Sequence, residues 1–577
     1  MNNFTAKICS CFANRLYWWI FGLAAVYTGG DILFTYLQFK QLFYIDTDCY
    51  THAERLIYWL QNFSWYEQIY PFGNYPFGEV LHFTRLLDII WAGLALPFMP
   101  FFSLKDAVFY SGMLLSPLCL ILSLITIFWG LKPYISQTPK VLFFSLILSL
   151  AFFVKFSTLF DFTRPDHHSV IFLFFAYNLS AVLQNLAKKR FSLLFFAGIL
   201  AGCGIWISSA VEGFILAASI LGLLCFNWLF NIFSLKHLQI YSLGLFCAVA
   251  AAFLLNPPYG GYFELSTTRL SLLHVVLTLL ICLSFYILGL FKLQTAAAKI
   301  ITIFCCAFIS AALLCGIFGF STIFAPIYDE NVKRYFLPYI TEMEPLWHFV
   351  YLLEMTVFEA ALVLLILFYK PQKSRILEIN LALLFGLFFI PLLFAQRFMA
   401  YELCILAYLN IVFLNLLFCR ATPDQADKSL AFGYICAALF LLASFKYEPL
   451  HPLKSFEVPQ NSIVLSDTFA APQLIFDRNI KTVAIPYHSA AAGIADNHRI
   501  FFSGNETEIK ELLQKHRVEY IFLPYSSYDG SAYYIAPAQH TDKFYGKIIT
   551  GKNLYPWLEK LSTGSKDILY KINYQEF

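Results

Sequence analysis

The sequence predicts a polytopic α-helical membrane protein that carries a soluble α/β region at its C-terminal end. Of its 577 residues, 59% are hydrophobic and only 13% are charged, whereas a soluble domain has about 25% charged residues. Apolar segments long enough to cross a bilayer recur up to residue 445, and residues 446–577 instead mix turns with short apolar runs. The net charge of +3 gives no reason to expect a nucleic-acid partner.

Thirteen apolar segments are long enough to span hydrocarbon. They lie near residues 16–37, 107–131, 141–160, 169–187, 191–208, 212–233, 238–256, 271–291, 300–320, 347–369, 376–395, 401–419 and 429–445. The stretch 86–102 is also apolar, but Pro97 and Pro100 interrupt it. We therefore predict a re-entrant or surface-lying helix there, because proline breaks the backbone ladder of a continuous helix.

The charge of the connecting loops predicts the orientation. If the N-terminus is cytoplasmic, every inner loop is short and basic, as in the run Lys188, Lys189 and Arg190. This is the asymmetry that the positive-inside rule describes. An odd number of spans then places residues 446–577 outside, on the periplasmic or extracellular face of a bacterial inner membrane.

The predicted division of the chain is a membrane domain, 1–445, followed by a soluble α/β domain, 446–577. The membrane domain has outer loops at 38–106, 161–168 and 321–346. In the soluble domain "NSIVLSD", "KTVAIPY" and "VEYIFLPY" read as strands, and "ETEIKELLQKH" reads as a helix.

Polar residues stand out in four segments of the predicted outer face. Each has an ordinary explanation when it is considered alone: a solvated loop acid, a helix cap, or a surface ion pair. The residues are Asp46 and Asp48, then Asp166, His167 and His168, then Glu342, and finally Arg397. An arginine between two apolar helices is the hardest to dismiss, because a guanidinium near hydrocarbon costs a few kcal/mol unless it finds a partner or reaches the interface.

Together these residues suggest one site. Carboxylates with an imidazole, on separate loops, suit Mn²⁺ or Mg²⁺ better than a structural zinc site, which favours cysteine and histidine. Arginine binds phosphate through parallel charge-assisted hydrogen bonds. A divalent cation and a phosphate-binding arginine at a membrane surface point to chemistry on a lipid-linked phosphate or pyrophosphate.

Four motifs, in order, resemble the catalytic subunit of oligosaccharyltransferase, a membrane glycosyltransferase of the GT-C superfamily. "DCYTHAER" (48–55) resembles its first-loop motif, and "PDHHS" (165–169) resembles its second motif of an acid, any residue, and an acid or histidine. "ITEMEPLW" (340–347) is similar to its fifth-loop motif, and "QRFMAY" (396–401) resembles its late Arg-Phe segment. The resemblance covers the whole membrane part and implies a GT-C-like fold.

The resemblance also implies a role for each residue. Asp48, Asp166 and His168 would bind the divalent cation, with Asp46 supporting them or replacing one of them. Asp48 and Glu342 would act in catalysis, with Glu342 orienting or activating the acceptor. Arg397 would hold the phosphate of a polyprenyl-linked sugar donor.

The tail departs from that family. Its members carry a W-W-D-Y-G motif, whereas "VLSDTFAAPQLIF" (464–476) keeps only Ser466 and Asp467 in a similar place. We therefore expect a divergent, bacterial-type member whose acceptor is a protein, or else a lipid or glycan. Four further residues are candidates for the site, although each also has an ordinary structural or surface explanation: Arg85, Arg164, His488 and His498. Glu212 is interpreted as the cap of a tight hairpin, and Glu354 and Glu359 as structural acids.

Two other classes stay open. One is a GT-C enzyme that uses a polyprenyl-monophosphate sugar, as O-mannosyltransferases and lipid A-modifying enzymes do. The other is a non-enzymatic flippase or transporter of lipid-linked sugars, which should place its ionisable groups along a path at the membrane midplane. The clustering of such groups on the outer face favours an enzyme.

Overall fold

The computed structural model describes most of the chain. The described residues are 2–63, 65–136, 138–156, 158–209, 211–291, 293–324, 328–340, 343–348, 350–368, 376–418, 458–487, 489–525, 542–552, 554–561 and 566–577. The predicted span 429–445 and the boundary at residue 446 lie outside these residues.

Helices cover the other twelve predicted segments. In chain order the α-helices of this part are α1 (Asn2–Phe39), α2 (Thr47–Asn62), α3 (Arg85–Ala95), α4 (Leu104–Leu131), α5 (Pro139–Phe156), α6 (His167–Ala187), α7 (Phe191–Ile207), α8 (Glu212–Leu229), α9 (Leu235–Leu255), α10 (Leu272–Leu288), α11 (Ala296–Phe318), α12 (Phe320–Ile323), α13 (Glu330–Tyr335), α14 (Val350–Phe368), α15 (Ile376–Phe394) and α16 (Met399–Phe418). Short 3₁₀ turns occur at Thr158–Phe160, Leu337–Tyr339, Leu346–His348, Gln396–Phe398 and Tyr574–Glu576.

Eight helices in the described residues are long and apolar enough to cross a membrane, and three shorter apolar helices accompany them. The protein is therefore a helical membrane protein, as predicted, while the number of 13 spans stays a prediction. The stretch 86–102 forms the 11-residue helix α3 followed by turns. At about 1.5 Å per residue this helix is too short to cross hydrocarbon.

The C-terminal helix of the described membrane part occupies the centre of the bundle. Within the apolar segment Gln396–Leu417, 83% of an 18-residue window is buried inside the protein, against 6% of the corresponding window in α11. The aromatic ring of Tyr401 stacks on Phe388 with a centroid separation of 4.7 Å and an interplanar angle of 7°. Because α16 is central, Arg397, in the turn that precedes it, lies at the mouth of the helix bundle. It does not lie on the surface that faces lipid.

Small residues allow two helices to touch through their backbones. A Cβ atom added at Gly198 of α7 would lie 2.1 Å from the carbonyl oxygen of Tyr241 in α9. Only glycine permits this approach, which is a common way for membrane helices to pack closely. The contact fixes the helices next to α8, whose first residue belongs to the site described below.

The C-terminal region contains a five-stranded mixed sheet with the strand order β4-β3-β5-β7-β6. The segment 38–106, which is predicted to be outside the membrane and is called the first outer loop for that reason, contains the hairpin β1 (Ile69–Tyr70) and β2 (Glu79–Val80). The strands of the C-terminal sheet are β3 (Ile463–Ser466), β4 (Lys481–Thr482), β5 (Tyr520–Leu523), β6 (Leu558–Leu561) and β7 (Ile568–Ile572). Four helices pack beside it: α17 (Ala471–Arg478), α18 (Ala491–Phe502), α19 (Glu506–Lys515) and α20 (Phe544–Thr550). The expected α/β character is confirmed, although the predicted strand "KTVAIPY" is shortened to two residues.

The first outer loop is attached to the edge of this sheet. The backbone N–H of Thr482 donates to the carbonyl of Phe72 at 2.7 Å, and the N–H of Tyr75 donates to the carbonyl of Thr482 at 3.1 Å. The buried ring of His516 contacts the carbonyl of Tyr75 at 2.6 Å and the carboxylate of Asp496 at 2.9 Å. These contacts bring the sheet edge, and the segment after β4, over the start of α2.

Candidate functional site

A cavity of about 210 Å³ lies where the first outer loop, the start of α6 and the C-terminal region meet. Its wall combines charged residues with an aromatic side formed by, among others, Tyr328, Phe336, Tyr339 and Phe469. The charged and polar residues of the wall include Asp46, Asp48, His167, His168, Arg397 and Tyr487. Residues that the sequence singled out on three separate segments therefore share one cavity.

The acids of the first outer loop stand at the start of α2. Asp46 has extended backbone angles (φ −121°, ψ 146°) and its side chain accepts the backbone N–H of Asp48 at 3.2 Å, so it is the N-cap of the helix. The next residues continue the helix, which places Asp48 in its first turn. The burial of Tyr487 and its contact with Asp48 raise the pKa of the Tyr487 hydroxyl well above its usual range. The phenol therefore stays protonated beside that carboxylate.

Asp166 occupies the equivalent position before α6. Its carboxylate accepts the backbone N–H of His167 at 2.5 Å and is almost completely buried. Burial by itself would raise its pKa, but His167, His168 and Arg164 together hold the pKa of Asp166 well below its usual range. The cap that the sequence allowed for Asp166 is real, and the same carboxylate stays ionised within the site.

Arg164 joins the two acidic motifs. Its Nη2 lies 3.2 Å from Asp46 Oδ2, and its Nε lies 3.6 Å from Asp166 Oδ2. Its Nη1 also donates to the hydroxyl of Thr158 at 2.9 Å. The guanidinium thus connects the first and second motif loops, which explains how residues 120 positions apart in sequence are kept side by side.

Glu212 belongs to this site and was missed in the sequence. It begins α8, is only 2% exposed, and its carboxylate lies 2.9 Å from His168 Nδ1 and 3.3 Å from Arg397 Nη2. The interpretation of Glu212 as a simple hairpin cap was therefore wrong. The available signal was an acid at the start of an apolar helix, which requires a partner when it is buried.

Two groups in the described residues bring possible metal-ligand atoms within 4.8 Å of one another. The first group is His52, Asp166 and His167, and the second is His167, His168 and Glu212. Asp48 belongs to neither group, although it lines the same cavity as His168. The predicted ligand set of Asp48, Asp166 and His168 stays a prediction.

The remaining candidate residues are placed elsewhere or lie outside the described residues. Glu342 and His488 belong to the undescribed positions. Arg85 is buried against Asp88 at 3.2 Å and against the carbonyls of Trp65 and Glu67, and it does not line the cavity described above. His498 stacks on Tyr335 with a centroid separation of 4.1 Å, which is a packing role.

Two other predicted features have local partners. Asp467 accepts the backbone N–H of Phe469 at 2.9 Å, so it stabilises the turn after β3. Glu359 is fully buried, and its carboxyl group lies against that of Glu402 in α16. The interpretation of Glu359 as a structural acid stays a prediction.

Comparison with known proteins identifies the fold. No protein-family model and no curated protein matches the sequence. Among solved structures, the archaeal oligosaccharyltransferase AglB from Archaeoglobus fulgidus, in complex with an inhibitory peptide and a dolichol-phosphate, is 15% identical with a TM-score of 0.66. The match covers 98% of this chain and 75% of AglB.

Two further structures, both of an Archaeoglobus fulgidus oligosaccharyltransferase, agree. The form tethered to an acceptor peptide with the NVT sequon is 16% identical with a TM-score of 0.66, covering 98% of this chain and 75% of that one. The complex with Zn and sulfate is 17% identical with a TM-score of 0.58, covering 84% and 64%. The chain therefore has the fold of AglB.

Proposed function

We propose that this protein is a divalent-metal-dependent membrane glycosyltransferase of the oligosaccharyltransferase type. It transfers a glycan from a polyprenyl-(pyro)phosphate donor to an acceptor on the outer face of a bacterial inner membrane. The observation that carries the proposal is the cavity that Asp46, Asp48, His168 and Arg397 share within an AglB-like fold. The N-terminus is cytoplasmic in this proposal, and the C-terminal region is outside.

The residues around the cavity fit a divalent cation. Asp166 Oδ2 and Glu212 Oε2 are buried and form no hydrogen bond. Four carboxylates, of Asp46, Asp48, Asp166 and Glu212, face two guanidiniums, of Arg164 and Arg397. Asp166 and Glu212 are the buried carboxylates of this set, and a cation would give their unbonded oxygens a partner, because buried carboxylates are stable only when they are paired or coordinate metal.

We assign Asp48, Asp166 and His168 as the residues that hold Mn²⁺ or Mg²⁺, with Asp46 as an alternative ligand. Mainly oxygen ligands suit these hard cations. When bound, the cation supplies Lewis-acid stabilisation of the leaving phosphate. Arg164 keeps the two motif loops together and so sets the separation of the carboxylates.

Arg397 would bind the donor phosphate. Glu212 contacts its Nη2 and orients the guanidinium toward the cavity, and the side chain is mostly buried. A guanidinium presents five N–H donors in a planar fork, so a phosphate can be held while the contact with Glu212 persists. The polyprenyl chain would then extend toward the membrane lipids at the side of the bundle.

The acceptor would bind on the aromatic side of the cavity. Its nucleophilic group attacks the anomeric carbon of the donor sugar, the bond from that carbon to the phosphate oxygen breaks, and the polyprenyl (pyro)phosphate leaves. We propose that Asp48 and Glu342 accept hydrogen bonds from the nucleophile and that one of these two carboxylates receives its proton. Tyr487, beside Asp48, orients that carboxylate.

The acceptor is a protein or a glycolipid. AglB has been solved with peptides, and this chain lacks the tryptophans and glycine that the resemblance leads one to expect in 464–476. The experiment is a gene deletion followed by mass spectrometry of glycopeptides and glycolipids. Loss of one glycoconjugate, restored by the wild-type gene and not by Asp166→Asn, supports the proposal. The proposal is overturned if the wild-type strain expresses the gene and the set of glycoconjugates is unchanged after the gene is deleted.

A further inference from the structure

We propose that His52, Asp166 and His167 form a second, nitrogen-rich cation site that takes Zn²⁺, next to the cavity of the transfer reaction. Their ligand atoms lie within 4.8 Å of one another, and His52 and His167 have ring centroids 5.7 Å apart. The inference goes beyond the proposed function, because neither His52 nor His167 is needed for the assignments made above.

The helix α2 places His52 at the site. His52 follows Asp48 by four residues, so the two side chains lie on the same face of the helix, one turn apart. Asp48 reaches the cavity from the first turn, and His52 lies one turn deeper, where it is only 2% exposed. The site is thus a buried continuation of the cavity wall.

The second observation concerns the hydrogen bonding of the His52 ring. Neither Nδ1 nor Nε2 of His52 has a hydrogen-bond partner, although the residue is buried. Most buried polar atoms in proteins are hydrogen-bonded, so two unsatisfied nitrogens on one ring require an explanation. His167 Nδ1 also lacks a hydrogen bond of suitable geometry while lying 2.5 Å from Asp166 Oδ1. A metal ion at this point would bind one nitrogen of each ring and so explain why these imidazoles are buried together.

The type of ligand selects the metal. Two imidazoles and one carboxylate are the three protein ligands of many catalytic zinc sites, which keep a fourth position for water or substrate. Mg²⁺ and Mn²⁺ prefer oxygen ligands and would favour the part of the cavity that Asp48 lines. Asp166 can serve both places, because Oδ1 faces His167 whereas Oδ2 faces His168 at 3.5 Å.

The aromatic surroundings provide a matched control. His52 and His82 both pack against Phe83, each with a ring-centroid separation of 4.2 Å. Only His52 belongs to the proposed site. The variants His52→Phe and His82→Phe therefore remove one imidazole from the same aromatic cluster, but only the first removes a proposed ligand.

The experiment uses purified full-length protein in detergent, stripped with a chelator and titrated with Co²⁺ as a spectroscopic substitute for Zn²⁺. Visible absorption reports nitrogen-ligated tetrahedral Co²⁺, and competition with Zn²⁺ gives the zinc affinity. We expect zinc affinity to fall at least about a hundredfold in His52→Phe and to change less than about threefold in His82→Phe. Equal affinity in His52→Phe and wild type, or an equal loss in both variants, overturns the proposal.

X-ray absorption at the zinc edge of the wild-type protein tests the site without a variant, so a folding defect in His52→Phe cannot hide the answer. Two imidazole ligands are expected, and a spectrum with only oxygen ligands overturns the assignment. Binding of Mn²⁺ by wild type and Asp48→Asn is measured in parallel. If zinc binding does not depend on His52 while Mn²⁺ binding depends on Asp48, this inference fails and the proposed function stands.

Discussion

The guanidinium of Arg397 lies 3.3 Å from the carboxylate of Glu212, although the two residues are 185 positions apart in the chain. Arg397 precedes the central helix α16, and Glu212 begins α8. Each charge would be costly alone in an apolar bundle, and together they neutralise one another. The pair also fixes the direction of the arginine whose role in donor binding is central to the proposed function.

The replacement Arg397→Lys should weaken donor binding. Lysine keeps the positive charge but loses the planar fork that binds phosphate through two parallel hydrogen bonds. Losing one charge-assisted contact costs about 1.5–3 kcal/mol, or roughly ten- to a hundredfold in affinity. Equilibrium binding of a fluorescent polyprenyl-phosphate sugar measures this change.

The matched control for this variant is Arg269→Lys. Arg269 pairs with Glu264 at 3.3 Å and is not among the residues that line the cavity. Its substitution should leave donor affinity within about twofold, since a partly exposed ion pair outside the cavity wall contributes little. Unchanged donor affinity in Arg397→Ala would remove Arg397 from the donor site.

The two acids of the first outer loop should differ in their effect on cation binding. Asp46 caps α2 and pairs with Arg164, whereas Asp48 lies beside Tyr487 at the cavity wall. We therefore expect Asp48→Asn to weaken Mn²⁺ binding by at least about tenfold, and Asp46→Asn to act mainly on stability. Titration calorimetry with Mn²⁺ measures both. If Asp46→Asn has the larger effect on affinity, the alternative ligand is the true one.

Glu79 should make the protein less stable as pH rises. Burial raises the pKa of this outer-loop carboxyl from 4.5 to about 8. Between these values the folded state keeps a proton that the unfolded state has lost, so stability is fully present below pH 4.5 and is lost as pH rises through 8. The loss has a limiting slope of about 1.4 kcal/mol per pH unit.

The measurement is the thermal midpoint of the purified protein between pH 5 and pH 9. Glu79→Gln, which cannot ionise, should flatten the decline and raise the midpoint at high pH. Glu559→Gln is the control, because Glu559 is an exposed residue of β6. A decline of the same steepness in wild type and Glu79→Gln would show that another group is responsible.

The predicted orientation can be tested by reporter fusions. A periplasmic reporter joined after residue 190 should be inactive, because this position follows the basic run that the positive-inside rule assigns to the cytoplasm. The same reporter joined after residue 460 should be active. Activity at both positions, or at neither with both fusions expressed, contradicts the topology.

Much of the helical architecture could be predicted, because hydrophobic length alone determines where a chain can cross a membrane. A local signal also indicated the cap Asp166, which stands directly before a helix and accepts a backbone N–H there. The same capping role of Asp46 was not predicted. These features depend on residues that are close in sequence. The pairs Asp46/Asp48 and Asp166/His168, which we propose for cation binding, were recognisable for the same reason, since each pair lies within one loop.

The rest depends on contacts between distant parts of the chain. Glu212 could not be assigned to the site, because its partners His168 and Arg397 lie on other helices. The strand β6 has two exposed residues of opposite charge and lacks a clear apolar alternation, so only its pairing with β7 reveals it. The docking of the first outer loop on β4 likewise relies on backbone groups and on His516, which carry no local signature.

The most direct test of the central claim follows the donor itself. Purified protein in lipid nanodiscs is incubated with a labelled polyprenyl-pyrophosphate oligosaccharide and a membrane extract as the source of acceptor, and released polyprenyl pyrophosphate is measured. We predict release that stops with a chelator, returns with Mn²⁺ or Mg²⁺, and falls at least about a hundredfold in Asp166→Asn. Donor consumption that is the same with and without chelator, or none with either a pyrophosphate or a monophosphate donor, would contradict the account.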